Sequence, residues 1–115
     1  MEHLNSFKEL VENFQSLPYP GIIYVGNKPS DNTHEVEYWI LSSDEFKNQD
    51  VIETPEGELI PEELLKYDVS EYLSVGVFQD IIDNVLENNP EISVSDTKVI
   101  SEAIDYYLEY DDFKY

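Results

Sequence analysis

A chain of 115 residues has the length of one domain, and 41% apolar residues with 13% aromatics supply material for one buried core. Twenty-six acidic side chains against six basic ones give a formal net charge of -20, a sign that repels nucleic acid and anionic lipid and attracts basic proteins. All six basic residues are lysines, so the guanidinium fork suited to phosphate is missing; without cysteine, disulfides, thiolate nucleophiles and cysteine-held zinc are excluded.

High net charge with modest hydropathy is also a signature of disorder, but periodic apolar residues and nine tyrosines argue for a folded chain. Met1–Val11 lacks the basic and then apolar character of a leader, and no stretch approaches the ~20 apolar residues of a membrane span. The expected compartment is the cytoplasm.

Leu4, Phe7, Leu10, Val11 and Phe14 recur at helical spacing, with charged residues between them, and Pro18 and Pro20 end the run. Ile22–Val25, bounded by Gly21 and Gly26, reads as a buried strand. Asn27–His34 reads as a loop, and Glu35–Leu41 as a second strand that pairs with the first in an antiparallel hairpin. Ser43 suits the cap of a single helical turn over Asp44–Lys47. Val51-Ile52 and Leu59-Ile60 flank Pro55-Glu56-Gly57, which predicts a small hairpin adding edge strands. Pro61 suits the first position of a short helix, with Glu62 and Glu63 in its first turn.

The C-terminal third carries the strongest pattern. Val77, Phe78, Ile81, Ile82, Val85 and Leu86 form one broad apolar stripe, with Ser74 as cap and Asn88-Asn89-Pro90 as stop. Val99, Ile100, Ala103, Ile104, Tyr107 and Leu108 repeat the stripe, capped by Ser93 or Ser95. These elements predict an α+β domain spanning the whole chain, in which a small antiparallel sheet is covered by an N-terminal helix and two C-terminal amphipathic helices.

Chemistry has little to work with. His3 lies near a terminus expected to fray and His34 in a polar loop, so both read as solvated histidines. Carboxylate pairs, as glycosidases use, arise by chance among so many acids. The alternating acids, central glycine and terminal glutamate of a calcium loop are absent, as are glycine-rich phosphate loops. No enzyme activity, no cofactor and no dedicated metal site is expected.

What remains is surface. The helix face opposite the first stripe carries Asp80, Asp83, Asn84 and Glu87; that of the second carries Glu102, Asp105 and Glu109. With Asp111 and Asp112 these would make a wide negative surface on the outer faces of the last two helices. Any one of these acids alone reads as ordinary solvated surface, but the total charge exceeds the ~2–8 that solubility asks of a small domain. Tyr106, Tyr110 and Tyr115 are candidate aromatic anchors beside them; the alternative is that they pack the C-terminus onto the domain.

Glu71-Tyr72-Leu73-Ser74-Val75, Gln79 through Asn84, and Ala103 through Tyr107 with Asp111-Asp112-Phe113 together resemble a family of small acidic bacterial proteins. Several members look like immunity proteins encoded beside secreted toxins, including those of contact-dependent growth inhibition. The resemblance covers roughly residues 64–113, with a compatible strand at Trp39-Ile40-Leu41. It departs at Val77, where the family pattern places an aspartate. It implies a toxin-neutralising role. An acidic inhibitor of a basic, nuclease-type toxin would meet its target by electrostatic steering, pairing Asp80, Asp83, Glu87, Asp105 and Glu109 with lysines and arginines around the active site. The alternative is a nucleic-acid mimic, which needs carboxylates at phosphate-like spacing on an elongated surface; a compact chain with two apolar strands fits that less well.

Overall fold

A computed structural model of the chain describes residues 1–27 and 36–115. The order of elements is β1 (Glu2–Leu4), α1 (Phe7–Glu12), β2 (Gly21–Asn27), β3 (Val36–Ser42), α2 (Ser43–Lys47), β4 (Val51–Glu53), β5 (Leu59–Pro61), β6 (Ser70–Ser74), α3 (Val75–Asn88) and α4 (Thr97–Tyr110). Short 3-10 turns cover Phe14–Ser16 and Glu62–Tyr67. This is the expected α+β fold. The predicted loop over Asn27–His34, and His34 with it, falls almost wholly outside the described residues; so does Glu35, the first residue of the expected second strand.

The antiparallel sheet runs β1-β3-β2-β6. Alternation along its central strands sends side chains to two faces. Ile23, Tyr38 and Ile40 join Leu10, Val11, Phe14, Phe78, Ile81, Ile82, Val85, Ile100 and Ile104 in the main core. Tyr24, Trp39 and Leu41 point the other way and pack with Ile60 and Leu64. The helices α1, α3 and α4 therefore cover one face; the β4–β5 hairpin and the 3-10 turn after it cover the other. The stripes do what their period predicts: each fully buried Leu, Ile or Phe contributes about 1.5–3 kcal/mol. Leu108 is the exception, 52% exposed at the end of its stripe.

Several local expectations are corrected. The N-terminal residues do not fray: Glu2, His3 and Leu4 pair with Ile40, Trp39 and Tyr38 as an edge strand. The helix starts later, at Phe7, because Ser6 caps it by accepting from the Glu9 amide. β6 carried no strand signal of its own, since Ser70, Glu71 and Ser74 are exposed and leave no clean alternation. The hairpin β4–β5 is a separate two-stranded sheet rather than an extension of the main one. Ser42, not Ser43, caps α2, in a reciprocal box with Glu45. Pro61 ends β5 and holds the cap position of the short 3-10 helix Glu62–Tyr67, one residue before the place expected for it, with Glu62 and Glu63 in the first turn as expected. Asp96, not Ser93 or Ser95, occupies the cap position of α4; its carboxylate accepts from the Ser93 amide and tightens the preceding turn.

His3 is exposed, as expected, but it is not without partners. Its ring stacks on Trp39 at 5.0 Å between centroids, and Trp39 stacks in turn on Tyr67 at 5.0 Å. Nε2 of His3 sits 3.0 Å from Oε1 of Glu37, which is the buried charged side chain of the sheet. β3 brings Glu37 and Trp39 to one face two residues apart, and β1 lays His3 across them.

Candidate functional site

The outer faces of α3 and α4 hold the predicted surface. Asp80, Asp83, Glu87, Glu102, Asp105, Glu109, Tyr110, Asp111 and Asp112 are all exposed, and Tyr106 is half-buried. Opposite each of these faces lie the buried residues of the stripes, so the same 3.6-residue period that builds the core aims the acids outward.

These residues form two groups. On α4, Glu102, Tyr106 and Tyr110 lie one turn apart in a row, beside Asp105 and Glu109. The rings of Tyr106 and Tyr110 meet at 4.6 Å between centroids, inclined at 47°. On α3, Asp80 and Asp83 border a shallow hollow of about 240 Å³ with Gln79 and the turn at Phe14-Gln15. There Gln79 donates from Nε2 to the Phe14 carbonyl at 2.9 Å, fixing that turn to the helix.

The C-terminal tail links the groups. Asp111 takes a left-handed conformation (φ 54°) and donates its amide to the Tyr107 carbonyl at 2.7 Å, ending α4. The chain then folds back. Phe113 packs on Tyr107 at 5.5 Å, and the Tyr115 carbonyl accepts from Nδ2 of Asn84 at 3.0 Å. Asp111 and Asp112 thus sit on a strap between the end of α4 and the middle of α3.

Little inside the molecule compensates this charge. Among the described residues, ion pairs join the Met1 amino group to Glu45 and Lys8 to Glu12, and the His3 ring hydrogen-bonds Glu37; none of these involves the ten predicted residues. Lys98, one turn before Glu102, interrupts the face and joins no ion pair among the described residues. The field is felt locally: burial, then the neighbouring Tyr38 and Asp105, push the Tyr72 phenol well above its ordinary range. No group of three or more His, Asp or Glu side chains converges on a possible metal position among the described residues.

Two features escaped the sequence reading. Tyr19 is 71% exposed and lies over the first turn of α3. A Cβ at Gly76 would come within 2.8 Å of its ring, so glycine is what lets the ring approach the helix so closely. The signal was an aromatic between Pro18 and Pro20. The second is the distribution of charge. Residues 44–71 carry ten acids and two lysines, as residues 75–115 do. The negative surface is therefore not confined to the last two helices; the hairpin layer shares it.

In comparisons with known proteins, the chain matches no family model, no curated protein and no solved structure.

Proposed function

We propose that the chain is an inhibitory binding protein that neutralises a basic bacterial toxin of the nuclease type, as an immunity protein does, by covering its active site with the α3–α4 face. The observation that carries this reading is the set of exposed carboxylates and tyrosines on α3, α4 and the tail, none of whose carboxylates joins an ion pair among the described residues. Nuclease sites are basic because they hold phosphates, so carboxylates aimed outward steer the encounter. Tyr19, Tyr106 and Tyr110 supply the aromatic area that anchors an interface once formed.

The resemblance of the C-terminal half to acidic immunity-like proteins points the same way. Inhibition by this route needs neither a cofactor nor a catalytic residue in the chain, and the working complex is one of two proteins without nucleic acid or membrane.

The test is a nuclease assay with the C-terminal domain of the toxin encoded beside this protein. Stoichiometric addition is expected to abolish cleavage, and calorimetry is expected to give a dissociation constant below about 1 µM. Undiminished cleavage at tenfold excess would sink the reading.

A further inference from the structure

The hairpin layer carries a second feature, on the opposite face of the sheet from α3 and α4. Tyr24 donates its hydroxyl to the Leu59 carbonyl at 2.9 Å, and the Leu59 amide donates to Glu71 Oε1 at 3.2 Å. These bonds pin the hairpin to β2 and β6. Its turn is equally fixed. The Thr54 amide donates to the Glu58 carbonyl at 2.8 Å, the Glu58 amide to Thr54 Oγ1 at 3.2 Å, and Gly57 supplies the positive φ of 86°. Between this turn and the segment entering β6 lies a hollow of about 440 Å³. Ile60, Leu65 and Val69 line it, and Glu56, Glu58 and Asp68 border it. None of those three carboxylates takes part in an ion pair among the described residues.

An apolar floor under a rim of carboxylates suits one kind of group: a cation on an aliphatic stem. The stem covers Leu65 and Val69, above the buried Ile60, while the charged head reaches the rim. Anions and neutral apolar ligands fail one half of that match. We propose that this hollow docks a lysine or arginine side chain from a basic protein, as an interaction surface separate from the α3–α4 face. Charge complementarity names the occupant, and the pinned hairpin holds the hollow in shape before binding, which lowers the cost of association.

The test uses the whole chain and blocked tripeptides, acetyl-Ala-Lys-Ala-amide and its arginine counterpart, with the norleucine peptide as the neutral stem. Amide shifts in heteronuclear NMR are expected to saturate for residues 54–58 and 65–70 with a basic peptide. The norleucine peptide is expected to bind at least about tenfold more weakly. Two variants with equal charge change separate the site from the general field. Glu56→Gln/Glu58→Gln/Asp68→Asn is expected to weaken binding about tenfold or more, and Asp80→Asn/Asp83→Asn/Glu87→Gln by less than about threefold. Asparagine tolerates the left-handed conformation of Asp68, so the first variant keeps its fold. Equal weakening in both variants, shifts spread over the whole surface, or saturation by a free diamine but by neither basic peptide would each overturn the proposal. Failure here leaves toxin inhibition through α3 and α4 untouched, because that is read in a nuclease assay.

Discussion

Asn84 of α3 donates to the backbone carbonyl of Tyr115 and so ties the acidic tail across the helix that carries Asp80, Asp83 and Glu87. Asn84→Ala removes one exposed hydrogen bond, worth about 0.5–1.5 kcal/mol at most. Global stability is expected to change by no more than that. The Phe113 ring is expected to leave Tyr107, and affinity for a basic partner to fall. Nuclear Overhauser contacts between the two rings read the first effect and calorimetry the second; rings still in contact in the variant contradict the strap.

The stack of His3 on Trp39 makes the lone tryptophan a reporter for β1. His3→Ala removes the ring and leaves Glu37, 6% exposed, without its side-chain partner. The combined loss is expected to be about 1–3 kcal/mol, from an aromatic contact and an unpaired buried acceptor. Urea denaturation followed by Trp39 emission checks this; an unchanged midpoint would mean that β1 contributes nothing.

Buried phenols set an alkaline limit. Burial pushes Tyr38 up to about 12, and Tyr24 and Tyr72 are raised further, Tyr24 by burial and then by Glu71 and Glu58. Their folded pKa values lie above the unfolded value near 10, so the neutral form favours the fold. The stability they contribute is complete below about pH 10 and is lost as pH rises through the folded values. Denaturant midpoints are therefore expected to hold flat from about pH 8 to 10 and fall above that. Tyrosinate absorbance is expected to lag for these tyrosines until the chain unfolds; all nine titrating together near 10 would contradict their burial.

Gly76→Ala separates surface from stability. A methyl group at the first turn of α3 changes helix stability by less than about 1 kcal/mol. It drives the exposed Tyr19 ring off the helix, because the added carbon would sit 2.8 Å from it. The variant is expected to melt within a few degrees of the parent and to bind a basic partner more weakly. Tyr19→Ala is expected to match it in binding. A loss in one variant alone removes Tyr19 from the surface.

The helical layer was legible because its signal is periodic: Phe78, Ile81, Ile82 and Val85 are buried where a 3.6-residue period puts them. The carboxylates followed from the same period by standing opposite. The central strands were legible from apolar runs at Ile22–Val25 and Val36–Leu41. What stayed hidden depends on partners distant in sequence. β1 has three residues and is held by Trp39 and Glu37, far along the chain. β6 is a half-exposed edge whose pairing shifts register between Ile23 and Tyr24, which blurs alternation. The tail's return to Asn84 and the hollow beneath Glu58 arise from tertiary packing and leave no local mark.

The central claim is that a basic partner meets the α3–α4 face through steered association. Stopped-flow association of the wild-type chain with the toxin domain, from about 10 to 500 mM salt, tests it most directly beside Asp80→Asn/Asp105→Asn/Glu109→Gln and an equally charged control, Asp44→Asn/Glu53→Gln/Glu63→Gln. The account predicts a wild-type rate constant that falls steeply with salt, a helical-face variant slowed about tenfold or more at low salt, and a control slowed far less. Equal rates for the two variants, or a salt-independent wild-type rate, would contradict it.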